Sequence, residues 1–401
     1  MPKRRSGERD GGLTAKRRRQ HLYLVVDDWL WGHSIRKVDL SSGSKSGNSA
    51  ELPDAFSGER SEQQLPPPFF RLEAEPRFPE YITAAFGTKI IAMPPPKMGV
   101  PGIHPLMKCG IASVVDVRTR CFTFGPQPKV DLLCPIYFPL GDRLFVLCSD
   151  SFQVLEAHPV QEPPVGPCWA GSWRQLPKPP LELDDVSSYA VHPDGRTLFV
   201  SARWHLPSFV TYTFDTVETP FQWKRQGKWK LPFTGRAHFD WKLEAWVGLS
   251  GDLQTTGYVC ACDVVSAKSD GSGGKCPSWK VSKEKLLSED PAEKHLGAVL
   301  VYLAGRSSKF CLVQCVSVDD DCVEERKFRF TTFSLKYDKN GDLTTGNTRR
   351  VRYYKVPEET CGSSLIYPLA FWMVCCRCCL ELLPQFIQCC KLLYFQMTDI
   401  Q

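Results

Sequence analysis

Short apolar runs alternate with polar turns along most of the chain. The clearest unit is Ser187 to Pro232. Tyr189-Ala190-Val191 runs into a turn at His192-Pro193-Asp194-Gly195, where Pro presets φ and Gly supplies the positive φ of a tight reversal. Thr197-Leu198-Phe199-Val200 returns, Val210 to Phe214 alternates polar and apolar as a third strand, and Lys228-Trp229-Lys230-Leu231 is expected as a fourth. One sheet of four strands cannot cover both of its faces, so the unit needs neighbours of its own kind.

Two markers supply them. Gly87, Gly141 and Gly195 each precede an apolar strand and lie 54 residues apart. An aromatic residue at Phe70, Phe122, Trp173, Trp229 and Trp279 recurs at steps of 52, 51, 56 and 50 residues. A period near 50 with four strands per unit predicts an all-β fold, a kelch-like β-propeller of about six four-stranded blades, with five or seven as alternatives. The repeated aromatics are expected between the blades.

In chain order, His21 to Leu40 reads as a hairpin and Ser41 to Pro68 as a long surface insertion. A fifth unit runs through Gly235 to Val264 and a sixth through Gly297 to Tyr354, with a turn at Asn340-Gly341. The propeller is therefore placed at 21–360. Residues 361–401 fall outside the pattern, as an apolar Cys-rich tail that either docks as a helix along Leu380, Leu383, Ile387 and Leu392 or stays poorly ordered. Its uncharged run ends at Arg377, short of the roughly 18 to 20 residues of a membrane span, so membrane association is not expected.

Composition fits a core-forming, turn-rich chain: 42% hydrophobic, with 32 Pro, 29 Gly and 11 Trp among 401 residues. The net charge of +6 is concentrated in residues 1–20, a disordered basic arm. Lys3, Arg4 and Arg5 form one cluster and Lys16, Arg17, Arg18 and Arg19 another, the layout of a bipartite nuclear-import signal read by an acidic carrier. The same charges could neutralise phosphates, so non-specific nucleic-acid contact stays open. No apolar signal segment follows Met1, so the protein is expected in the nucleus, the cytoplasm or both, and not secreted. Reduced thiols follow, and Cys121, Cys134, Cys148, Cys311 and Cys315 are expected as small buried hydrophobes.

Nothing in the chain spells out chemistry. Cys375-Cys376, Cys378-Cys379 and Cys389-Cys390 lack zinc-ligand spacing, and Cys260 and Cys262 share one face of a predicted strand, where packing explains them. Asp319-Asp320-Asp321 reads as a solvated loop rather than a calcium site. The eight histidines are scattered, and no nucleophile elbow, phosphate loop or zinc motif is present. No catalytic, metal or cofactor residue is assigned.

The runs HLYLVVDDW, VVDVRTRCFTFGPQPK, YAVHPDGRTLFVSA, FTGRAHFDWKLEAWVGLSG and TTFSLKYDKNGDLTTGNTRR resemble a grass-expanded plant family, domain of unknown function 1618, over about residues 20–373. The resemblance implies an intracellular plant protein with a kelch-like or F-box-associated-like β fold, and brings no reaction or catalytic residue with it. The expected function is a non-enzymatic protein-interaction propeller, an adaptor binding a protein partner through its loops. Two alternatives are a propeller enzyme acting on a sugar or other small molecule, and a substrate receptor that partners a ubiquitin ligase without its own F-box.

Overall fold

Alternation of side chains with both faces apolar dictates sheets stacked face to face, and the protein stacks six such blades. The computed structural model describes residues 19–28, 32–40, 62–72, 81–94, 112–130, 132–149, 151–158, 169–204, 208–267, 275–303, 308–320, 323–360 and 368–375. In blades 2 to 6 the four strands follow one another from the ring's centre to its rim. Blade 2 is Ile82–Ala85, Lys89–Ala92, Ala112–Asp116 and Cys121–Gly125; blade 3 is Ile136–Leu140, Arg143–Leu147, Phe152–Ala157 and Gly171–Leu176. Blade 4 is Val186–Val191, Thr197–Arg203, Phe209–Asp215 and Trp223–Gly227; blade 5 is Gly235–Asp240, Ala245–Leu249, Val259–Asp263 and Trp279–Val281. Blade 6 is Glu293–Tyr302, Lys309–Asp320, Val323–Ser334 and Arg350–Lys355.

Blade 1 is assembled from both ends of the sheet-forming chain. Leu369–Cys375 is its innermost strand, followed outward by Arg19–Asp27, His33–Val38 and Pro68–Leu72. This corrects the boundary drawn at residue 360: Leu369 to Cys375, read as tail, pairs antiparallel with Arg19 to Val25 and closes the ring. The run carries no strand signal in the sequence because it lies apart from any turn marker and its partner strand is at the other end of the chain.

Six buried clusters fill the six spaces between blades, so the ring is complete. Leu22, Leu24 and Val26 pack against Val313 and Phe328 of blade 6, while Tyr23 and Val25 pack against Ile90 and Val115 of blade 2. Successive residues of one strand thus serve two different cores. Blades 2 and 3 meet at Val114 and Leu155, and blades 3 and 4 at Phe152 and Phe214. Blades 4 and 5 meet at Phe199 and Trp246, and blades 5 and 6 at Val247 and Leu312. Side chains of this size contribute about 1.5 to 3 kcal/mol each when fully buried.

Blades 4 and 5 differ from the rest in being one continuous sheet. Their innermost strands pair in parallel, with Ser188 opposite Gly235, Tyr189 opposite Arg236 and Ala190 opposite Ala237. The insertion after blade 1's third strand also returns to the sheet system. Glu62–Gln64 adds in parallel to Arg350–Lys355, giving blade 6 a fifth strand.

Several local expectations are corrected. Lys228 to Leu231 is not a strand; the fourth strand of blade 4 is Trp223–Gly227, whose Trp223 sits opposite Phe214. The recurring aromatics do not all fill the core: Trp173 is buried, but Phe122 is 37% and Trp279 43% exposed. Asp319 and Asp320 end a long strand of blade 6 instead of lying in a loop. Cys148, Cys311 and Cys315 are buried, as are Cys260 and Cys262, whereas Cys121 and Cys134 are exposed.

Candidate binding groove on blade 4 and the central channel

The segment that fails to be a strand makes the wall of a groove. Loops that join the second and third strands of a blade lie on the same face of the ring as loops that lead to the next blade. On blade 4 this face carries Trp204, just after the second strand, Ser208, just before the third, and the crossing from Lys228 to Thr234. Between them lies a cavity of about 510 Å³ lined by Trp204, Ser208, Phe209, Val210, Arg225, Lys228, Trp229 and Lys230. Among the described residues, three cations and three aromatic rings line it, and no carboxylate does.

A chain of buried hydroxyls explains why this segment is irregular yet fixed. Thr211 Oγ1 donates to the Trp229 carbonyl at 2.7 Å, which commits its only proton. Ser201 Oγ must then donate to Thr211 Oγ1 at 2.7 Å, while it accepts the Leu231 N–H at 3.0 Å. Ser188 Oγ donates to the Leu231 carbonyl at 3.3 Å. Backbone groups that would otherwise pair in a ladder are satisfied by side chains of blade 4 instead. Trp229 is left 8% exposed, its ring in the core between blades 4 and 5, and Lys230 Nζ sits 4.8 Å over the Phe209 ring. Across the groove Trp204 is 46% exposed, and its N–H donates to the Ser208 carbonyl at 2.8 Å. An exposed indole beside aromatic and cationic walls is an apolar platform in a positive field.

The channel wall is different. On the innermost strand of blade 5, Arg236 is exposed and His238 half-buried, with His238 Nε2 donating to the Leu300 carbonyl of blade 6 at 3.1 Å. Burial, with the positive charge of Arg236 adding to it, pushes the His238 pKa down to about 3, so the ring is neutral at physiological pH. Two residues on, Asp240 caps its turn by accepting from the amides of Lys242 and Leu243 and from Ser308 Oγ. That carboxylate has a structural task.

Other polar clusters are likewise tied into the architecture. Buried Asp28 accepts from Arg71 at 2.8 Å and lies 3.7 Å from Arg36, pinning the outer strands of blade 1. Arg329 reaches the Leu286 carbonyl, Gln314 and Tyr353, which holds the crossing into blade 6. Burial pushes the thiols of Cys148 and Cys262 up to about 12, so neither is a thiolate near neutrality. Among the described residues no group of three His, Cys, Asp or Glu side chains is placed to hold a metal, and no helix is long and apolar enough to cross a membrane.

Of the predicted import residues, Lys3, Arg4, Arg5, Lys16, Arg17 and Arg18 lie outside the described residues, as do the Cys doublets beyond Cys375. The backbone of Arg19 opens a strand of blade 1 opposite Cys375. The groove is not legible in the sequence, because Lys228 to Leu231 has the pattern of a strand.

Residues 19–354 match the family described as a protein of unknown function, DUF1668. The chain belongs to that family. This overturns the resemblance to domain of unknown function 1618, a different family. A comparison with curated proteins found no match. Among solved structures, this DUF1668 protein is similar to a candidate 6-phosphogluconolactonase from Bacteroides uniformis, at TM-score 0.39 and 8% identity over 84% of this chain and 99% of that one. It is also similar to the WD40 domain of SCAP from fission yeast, at TM-score 0.33 and 10% identity over 69% of this chain and 72% of that one.

Proposed function

We propose that this propeller is a non-enzymatic binding module that takes an extended acidic segment of a protein partner into the blade 4 groove. The carrying observation is the lining itself: Arg225, Lys228 and Lys230 beside Trp204, Phe209 and Trp229, with no carboxylate among the described residues. Acidic side chains match the cations, and an apolar side chain of the partner covers the exposed face of Trp204, the pairing of rim charge and aromatic anchor common at interfaces. A cavity of about 510 Å³ holds a few side chains, and three cations meet too few phosphates to track a nucleic-acid strand, which supports a peptide over a polynucleotide. A fluorescein-labelled peptide of alternating Glu and Phe, titrated into the full chain, tests the reading. Saturable binding that falls at least tenfold in a Lys228→Glu, Lys230→Glu variant is expected. Equal binding by the variant, or tighter binding of a single-stranded oligonucleotide, overturns it.

Nuclear entry through the basic arm belongs to the same proposal. Because Arg19 also begins a blade 1 strand, the discriminating substitution is Lys16, Arg17 and Arg18 to Ala with Arg19 kept. A fluorescent fusion is expected to lose nuclear enrichment, and an unchanged nuclear-to-cytoplasmic ratio removes the import role.

A further inference from the structure

The parallel seam between blades 4 and 5 folds one sheet into a V whose apex is the pair of innermost strands. Ala190 and Ala237, register partners at that apex, point into the core inside the V with Phe199 and Trp246. Their neighbours Tyr189 and Arg236, also register partners, therefore point out of the V, where the Tyr189 ring meets Phe138 of the innermost strand of blade 3 edge-on at 5.2 Å. Arg236 is exposed there despite lying on an innermost strand, as expected for a side chain reaching a water-filled channel.

What sets Arg236 apart is the lack of any counter-charge. Among the described residues it makes no hydrogen bond and no ion pair, and Tyr189 is the only ionisable group that favours its charge. The other arginines held within the fold have acceptors: Arg36 has Asp28 and the Pro66 carbonyl, and Arg329 has the Leu286 carbonyl, Gln314 and Tyr353. The surrounding protein depresses the Arg236 pKa and raises that of Tyr189, so a guanidinium open to solvent on one side stands next to a neutral phenol. A guanidinium offers a planar fork of N–H donors that matches two oxygens of one group.

We propose that Arg236, with the Tyr189 hydroxyl as a further donor, is the receptor for a carboxylate that enters the central channel. One positive charge beside a neutral tyrosine and a neutral His238 balances one carboxylate and leaves a phosphate dianion half-neutralised. The carboxylate can belong to a free small acid or to a carboxyl group on an inserted peptide, and the probes separate the two. The site is independent of the blade 4 groove and stands or falls without it.

The full chain is titrated with benzoate, with a short peptide ending in a free carboxylate, and with the same peptide amidated, at constant ionic strength set by chloride. Binding is read by line broadening of the ligand NMR signals and by the melting temperature. Wild type is expected to broaden benzoate, or the free-carboxylate peptide but not the amide, with affinity lost at least tenfold in Arg236→Gln and severalfold in Tyr189→Phe. Tyr189→Phe keeps the ring's packing and guards against a folding defect in the first variant. No carboxylate-dependent effect in wild type, the same effect in folded Arg236→Gln, or preferential binding of inorganic phosphate overturns the proposal.

Discussion

Leu22 and Trp372 face each other across the strand pair that closes the propeller, although nearly the whole chain separates them. Both contribute to the core between blades 6 and 1, Leu22 with no exposed surface. Closure by the last strand replaces a free sheet edge with a paired one and makes every blade depend on both ends of the fold. Leu22→Ala is expected to destabilise the protein by about 2 to 5 kcal/mol in urea denaturation followed by tryptophan fluorescence. Ending the chain before Leu369 removes the innermost strand of blade 1 altogether, and with it Ala370 and Met373 from two cores. That protein is expected to lose its single cooperative transition. A truncated chain that unfolds like wild type contradicts closure by this strand.

Legibility in the sequence tracked how local each device is. Gly87, Gly141 and Gly195 all sit at positive φ in the hairpin joining the first two strands of blades 2, 3 and 4, so one physical need left one residue type as a marker. In blades 5 and 6 the same hairpins place Glu244 and Ser308 at positive φ, and the marker vanishes although the geometry persists. Asp240 explains part of the exchange, since its carboxylate holds both that turn and Ser308. The propeller could thus be counted from its hairpins, while its closing strand and its groove could not. Both depend on partners distant in sequence: Leu369 to Cys375 on Arg19 to Val25, and Lys228 to Leu231 on hydroxyls of Ser188, Ser201 and Thr211. Arg236 shows the same limit, because an arginine without a counter-ion looks in sequence like any other.

His238 predicts an acid sensitivity with a definite sign. Its native pKa of about 3 lies below the ordinary 6.5, chiefly through burial. Between those values the unfolded chain binds a proton that the native ring refuses, so stability is complete above about pH 6.5 and falls as the pH drops towards 3. At pH 5 the loss through this residue is about 2 kcal/mol. His238→Gln can keep a donor for the Leu300 carbonyl without titrating. Urea denaturation at pH 7.5 and pH 5, in buffers free of carboxylates, is expected to show a smaller loss for the variant than for wild type. The same loss in both proteins rules out His238 as its source.

The hydroxyl chain under the groove ties stability to binding. Thr211 gives its proton to the Trp229 carbonyl and receives that of Ser201, so Thr211→Val, nearly the same in shape, strands a carbonyl and a hydroxyl together. Leaving buried partners unsatisfied costs about 1 to 3 kcal/mol each, and the strain falls on the segment that carries Lys228, Trp229 and Lys230. Global stability is therefore expected to drop by a few kcal/mol. Binding of the acidic peptide is expected to weaken severalfold although no residue that lines the groove has changed. Ser201→Ala, which removes the acceptor of the Leu231 N–H, is expected to act in the same direction. The two readouts separate two roles for these hydroxyls. If stability falls while peptide affinity holds, they serve the core of blade 4 alone, and the groove wall is held by the packing of Trp229 between blades 4 and 5.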